Sequence, residues 1–153
     1  MTRLHEQIET VLPIATTFDF VADFSNAARW DPGVARSVRL DDGPIRRGSR
    51  FALEVRMGRG TAPMQYHIAA LDRPTRVVLV GAGSGVDAVD EIVFEPTYFG
   101  TRVRYTADIR LRGLRRLAEP FLSRVFARIG RDAASGMRSA LAELDGSPAR
   151  AES

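Results

Sequence analysis

The sequence predicts an α+β protein with one antiparallel sheet and a long C-terminal helix. Three patterns support this fold class. Residues 34–111 alternate apolar and polar side chains between closely spaced turn residues, which is typical of a meander of strands. Residues 114–144 repeat apolar side chains at helical spacing. A strand and a helical segment precede the meander, so helices and strands are segregated along the chain, as in the α+β class.

The N-terminal segment is predicted to contain a strand followed by two short helices. Residues 4–12 alternate in the manner of a strand. Pro13 suits the first turn of a helix, and apolar residues then recur at helical spacing up to residue 24. Ser25 is the candidate N-cap of a second short helix that ends at Trp30, since a Pro-Gly pair follows.

The meander is predicted to supply six more strands, which gives a sheet of about seven. Turn residues separate the strands: an Asp-Asp-Gly-Pro cluster, pairs of glycines, an Asp-Arg-Pro break and the glycine-rich residues 81–85. That last run lacks the third glycine and the following helix of a nucleotide-binding loop, so it is interpreted as a hairpin. The predicted strands cover residues 34–40, 50–57, 64–69, 77–80, 88–95 and 101–111.

The C-terminal helix carries a wide apolar stripe that includes Leu117, Phe121 and Ile129, and we expect this stripe to be core. Pro120 is expected to kink the first turns of the helix, because an internal proline removes a backbone hydrogen bond. The only surface large enough to cover the stripe is one face of the sheet, and bulky side chains between the two would leave a cavity. Residues 1–145 are predicted to form a single domain, and residues 146–153 a disordered tail.

The amino-acid composition excludes several classes of catalytic and metal-binding site. All 22 basic side chains are arginines, and the chain contains neither lysine nor cysteine. Schiff-base lysines, cysteine nucleophiles, disulfides and thiolate metal sites are therefore excluded. With only His5 and His67 available, we expect no metal and no cofactor. The sequence lacks a stretch of roughly 20 apolar residues and a secretory signal, which favours a cytoplasmic protein without a membrane span.

Two groups of motifs resemble a known superfamily. The run Phe18-Asp19-Phe20-Val21-Ala22-Asp23-Phe24 precedes Ala28-Arg29-Trp30-Asp31-Pro32, and Gly100-Thr101-Arg102-Val103 follows a strand that ends in Phe94-Glu95-Pro96. These motifs are similar to those of the START-related, polyketide cyclase/dehydrase and lipid transport superfamily (SRPBCC). The resemblance covers residues 3–144. It implies a helix-grip fold, in which a curved sheet of about seven strands wraps around the C-terminal helix and encloses an apolar tunnel.

The reaction does not follow from the resemblance, because members include cyclases, lipid carriers, hormone receptors and quinone-binding proteins. Asp90, Tyr66 and Tyr105 are candidates for catalysis or ligand orientation, since all three have the inward phase of their strands. The alternative is that they are buried core residues with satisfied hydrogen bonds. His67 has the opposite phase and is expected to face solvent. The predicted ligand-binding residues are Trp30, Phe51, Leu53, Val55, Tyr66, Ile68, Asp90, Ile92, Phe94, Tyr105, Phe121, Val125 and Ile129.

Three functions remain open. The first is binding of a small apolar ligand, such as a lipid, quinone or polyketide, in the tunnel. The second is a polyketide aromatase/cyclase or dehydratase that uses general acid–base chemistry. The third is a non-catalytic interaction module that binds an acidic protein or an anionic surface, with nucleic acid disfavoured because aromatic residues are absent from that face. Its candidate arginines are Arg102, Arg104, Arg110, Arg112, Arg115 and Arg116.

Overall fold

A computed structural model describes residues 1–146 of the chain. Seven strands form one antiparallel sheet in the order β1-β7-β6-β5-β4-β3-β2, which confirms the predicted α+β class and the helix-grip arrangement. Strands that follow one another in sequence are neighbours, except that β1 closes the sheet beside β7. The strands are β1 (Thr2–Thr10), β2 (Val34–Arg39), β3 (Arg50–Met57), β4 (Gly60–Asp72), β5 (Arg76–Gly83), β6 (Val86–Pro96) and β7 (Thr101–Leu111).

The inner face of the sheet follows the alternation in the sequence. In β6, Ala88, Asp90, Ile92 and Phe94 are buried, whereas the residues between them are more exposed. His67 of β4 lies on the exposed side, as its phase predicts. Period-two side chains therefore present one continuous buried face to the helices.

Two short helices and a 3-10 turn cover part of this inner face. Helix α1 (Ile14–Ala22) begins directly after Pro13, as predicted. A 3-10 turn (Phe24–Asn26) and helix α2 (Ala27–Trp30) follow. The cap of this second segment was wrongly predicted: the Oδ1 atom of Asp23 accepts hydrogen bonds from the Ser25 backbone (3.1 Å) and hydroxyl (2.6 Å). An aspartate two residues earlier thus satisfies the free backbone donor.

The C-terminal segment begins with a 3-10 helix (Gly113–Ala118) and continues as α3 (Glu119–Leu144). Pro120 occupies the first turn of α3 and does not kink the helix. The predicted kink was wrong because the chain starts its α-helix only at Glu119, where the missing N–H of a proline costs no hydrogen bond. Of the predicted tail, residues 147–153 lie outside the described part of the chain.

The two halves of α3 pack differently against the rest of the protein. Met137 and Leu141 in the second half are completely buried. In contrast, Ile129 in the first half lines the cavity and is 41% exposed, so the prediction that it is core was wrong. The same prediction was wrong for Leu117 just before α3, which is 68% exposed, and for Phe121 in its first turns, which is 84% exposed. The apolar stripe is wider than the helix face that looks at the sheet, and these two side chains lie on its outer side.

Helices of the described region are all too short or too polar to cross a membrane.

Candidate functional site

A cavity of about 510 Å³ lies between the sheet and α3. Its walls come from the inner faces of β1, β3, β4, β6 and β7, from α2 and from the sheet-facing side of α3. Most of the lining is apolar. A volume of this size is within the range of about 300–1,000 Å³ that small-molecule sites occupy.

Asp90 is the buried carboxylate in the wall of this cavity and is only 5% exposed. The Tyr105 hydroxyl on the neighbouring strand β7 donates a hydrogen bond of 2.8 Å to its Oδ2 atom. Burial raises the pKa of Asp90 to about 7, although the hydrogen bond from Tyr105 opposes this and the charges of Asp31 and Asp108 add to it. Asp90 is therefore able to hold or release a proton near neutral pH.

Tyr66 is a second polar group in the cavity wall, and its side chain is 8% exposed. Its ring lies directly over Gly81 on β5. The contact is so close that any Cβ atom at position 81 would overlap the ring. The hydroxyl makes no hydrogen bond to any residue between 1 and 146, so it is free to form one with a ligand. Burial raises the pKa of Tyr66 well above its ordinary value, and the charges of Asp90 and Asp31 raise it further.

Asp31 is a further polar residue of the cavity wall and was missed by the sequence analysis. It directly follows α2, lines the cavity, and accepts a hydrogen bond of 2.8 Å from the Gly33 backbone. Burial raises the pKa of Asp31 to about 6, the Gly33 hydrogen bond lowers it, and the charge of Asp132 raises it. The signal was present, since Asp31 directly follows Trp30, a predicted ligand-binding residue, but the position was interpreted only as the end of a helix.

Four aromatic rings surround these polar groups. Trp30 lies 5.9 Å from Tyr105 and 6.0 Å from Phe24, and Phe24 lies 5.2 Å from Tyr66, as measured between ring centroids. All four residues line the cavity. Trp30 is 2% exposed, and its indole N–H finds no hydrogen-bond partner in the described part of the chain. The rings form a rigid wall that fixes the positions of the two tyrosine hydroxyls.

The structure brings together eight of the thirteen residues predicted to bind ligand. Four others are buried in the core beyond the cavity. Between ring centroids, Phe94 lies 5.1 Å from Phe18 of α1, and Phe51 lies 6.3 Å from Phe24 of the 3-10 turn. Helix α1 and the 3-10 turn fill that part of the sheet face. Phe121 points to solvent and lies outside the cavity wall. The eight that line the cavity are Trp30, Leu53, Val55, Tyr66, Asp90, Tyr105, Val125 and Ile129, and the four core residues are Phe51, Ile68, Ile92 and Phe94.

Three of the six arginines of the predicted surface are paired with neighbouring acids. Arg110 and Arg116 have no ion pair among residues 1–146, and Arg115 donates a hydrogen bond to the Ser84 carbonyl. This pairing does not support an acidic protein partner on the β6–β7 face. The ion pairs join Arg102 to Glu9 (2.7 Å), Arg104 to Glu95 (3.2 Å) and Arg112 to Asp87 (3.4 Å).

Comparisons with known proteins agree with this architecture. Residues 1–142 match the sequence model of the family described as "Polyketide cyclase / dehydrase and lipid transport". No curated protein matches the chain.

Three solved structures have similar folds at low sequence identity. A START superfamily protein from Mycobacterium smegmatis superposes with a TM-score of 0.78 at 12% identity, over 94% of this chain and 99% of that one. A Thermus thermophilus protein gives 0.75 at 13% identity, over 94% and 97%. The Zhui aromatase/cyclase from a Streptomyces species gives 0.74 at 12% identity, over 97% and 96%. At these identities, the similarity establishes the fold alone.

Proposed function

Since the chain belongs to the polyketide cyclase/dehydrase and lipid transport family, we propose that its cavity binds a small apolar ligand with one polar group. The observation that carries this proposal is an apolar cavity of about 510 Å³ with a hydrogen-bonding group in its wall. Burial of ligand surface provides the affinity. Asp90 and Tyr66 select the orientation in which the polar group of the ligand faces them.

Asp90 and Tyr66 recognise hydrogen-bond acceptors as well as donors. A protonated Asp90 and the free hydroxyl of Tyr66 both donate to a carbonyl or ether oxygen. Because the pKa of Asp90 is about 7, both of its protonation states are populated near neutral pH. A quinone, a polyketide or an oxygenated lipid presents such an oxygen on an otherwise apolar body.

Filling the cavity tests this proposal. Ala133 of α3 lines the cavity, and Ala133→Phe places a ring inside it. We expect this variant to bind the neutral fluorescent probe N-phenyl-1-naphthylamine at least about tenfold more weakly than the wild type, since the probe loses its space. Ser135→Phe adds the same ring on the exposed side of α3 and is the matched control. Equal probe binding by the two folded variants would contradict the proposal.

One observation favours an enzymatic version, a polyketide cyclase or dehydratase. The pKa of Asp90, at about 7, suits a group that accepts and returns protons, with Tyr105 in contact at 2.8 Å. An Asp90→Asn variant separates the two functions. A carrier keeps most of its probe affinity and has no turnover to lose, whereas a cyclase retains the affinity but loses turnover of a poly-β-ketone substrate.

A further inference from the structure

The first turns of the C-terminal segment expose large apolar side chains that the cavity does not use. Leu114 is 85% exposed, Leu117 68% and Phe121 84%. In α3, Arg124 and Arg128 follow Phe121 by three and seven positions, which places them on the same side of the helix. We call these five residues the docking face. Isolated exposed apolar residues are normal on a protein surface, but a row of them along consecutive helical turns indicates an interaction surface.

The charge around this row is strongly one-sided. Residues 113–131 contain five arginines and one acid, Glu119. That acid is already engaged, because the amino group of Met1 lies 3.0 Å from its Oε1 atom. Arg116, Arg124 and Arg128 have no ion pair with any of the described residues. Arg102 and Arg104 of β7 differ from these three, since both are paired with acids.

The combination of exposed apolar and unpaired basic side chains indicates what binds to the docking face. We infer that the docking face binds an anionic lipid bilayer, with Leu117 and Phe121 among the lipid chains and Arg124 and Arg128 at the headgroup phosphates. Amphipathic helices with basic flanks bind membrane surfaces in this manner. A second copy of the chain is a poorer fit, because a symmetric dimer through this face would bring like charges together.

The docking face lies beside the entrance of the cavity. The exposed residues of the cavity wall lie in two places. Arg56, Met57 and Gly58 lie at the β3–β4 turn, and Arg115, Ala118, Val125 and Ile129 lie beside the docking face. The entrance of the cavity therefore opens next to the surface that contacts the bilayer. Docking itself does not depend on the proposed ligand, since it uses residues outside the cavity interior.

Vesicle co-sedimentation of the wild-type chain tests this inference. We expect binding to vesicles of phosphatidylcholine mixed with phosphatidylglycerol, and at least about tenfold weaker binding to pure phosphatidylcholine, because the arginines need anionic headgroups. Added salt should weaken the first interaction, since it screens the charges. Equal binding to both vesicle types, or no binding to either, would overturn the proposal.

Two sets of variants locate the surface. The double variant Leu117→Glu and Phe121→Glu should lower binding to the anionic vesicles at least about tenfold, because both apolar anchors become charged. The matched control is Tyr98→Glu with Phe99→Glu, which are 96% and 81% exposed at the opposite end of β7 and should bind like the wild type. Arg124→Gln and Arg128→Gln should each weaken binding by about fivefold.

Three readouts keep the variants interpretable. Circular dichroism and binding of N-phenyl-1-naphthylamine should be unchanged in all of them, which establishes that fold and cavity are intact. A loss of vesicle binding in the Tyr98 and Phe99 control as large as that in the Leu117 and Phe121 variant would reject the docking face. If the wild type is a dimer by light scattering and Leu117→Glu with Phe121→Glu is a monomer, the face is a self-interface and the membrane proposal is wrong.

Discussion

The two ends of the cavity differ in how the C-terminal helix meets the rest of the protein. At the closed end, α3 presses directly against the end of α2: any Cβ atom at Gly136 would overlap the Trp30 carbonyl oxygen, and Leu141 is completely buried. At the open end, the same amphipathic segment leaves Leu117 and Phe121 in solvent. The difference indicates that the closed end holds the fold together, whereas the open end is available for binding.

The largest expected effect tests this division directly. Leu141→Ala should destabilise the protein by about 3 kcal/mol, because it removes buried methyl groups and leaves a void. Phe121→Ala, which truncates a larger side chain in the open half, should change the free energy of unfolding by less than about 0.5 kcal/mol. Urea unfolding monitored by circular dichroism measures both. Similar losses for the two variants would mean that the open half is also packed in solution.

The closed end also predicts opposite effects for the same substitution at two glycines of α3. Gly136→Ala should cost about 2 kcal/mol, since the methyl group must push α2 and α3 apart. Gly130→Ala meets nothing nearer than 3.5 Å and should instead stabilise the helix by up to about 1 kcal/mol. Thermal unfolding of the two variants provides the comparison. If Gly136→Ala were neutral, the tight contact between the helices would not exist.

The sequence predicts the closed end better than the open end, for a physical reason. Strand phase places Tyr66, Asp90 and Tyr105 on the inner face correctly, because alternation alone determines which side of a sheet a residue occupies. The same phase also placed Phe51 and Phe94 among the ligand-binding residues. It cannot tell how far α1 and the following 3-10 turn extend over the sheet, and these two elements separate Phe94 and Phe51 from the cavity.

The prediction that the helical stripe is buried fails at the open end for a related reason. Periodicity shows that Leu117 and Phe121 are apolar and share a side of the helix, but exposure depends on what lies opposite. Asp31 was missed because its role arises from tertiary structure: burial and proximity to Asp132 raise its pKa. Neither burial nor that proximity is visible in a local sequence window.

The last expected effect concerns how the closed end responds to pH. The pKa of Asp90 is raised from 3.8 to about 7 and that of Asp31 to about 6, so both carboxyls hold protons more tightly in the folded state than in the unfolded chain. The stability that this provides is fully present below the unfolded value of 3.8. It is lost as the pH rises through about 6 and 7. We expect the free energy of unfolding to decrease across this range.

Asp90→Asn separates this effect from other titrations. The variant cannot ionise at position 90, so its stability should depend less on pH between 3.8 and about 7, with the remaining slope due to Asp31. Asp87→Asn, on the same strand but paired with Arg112 outside the cavity, is the control and should keep the wild-type slope. Urea unfolding at a series of pH values measures the slopes. Stability that rises over this pH range in the wild type would mean that Asp90 is not buried as described, and the closed end would then admit water.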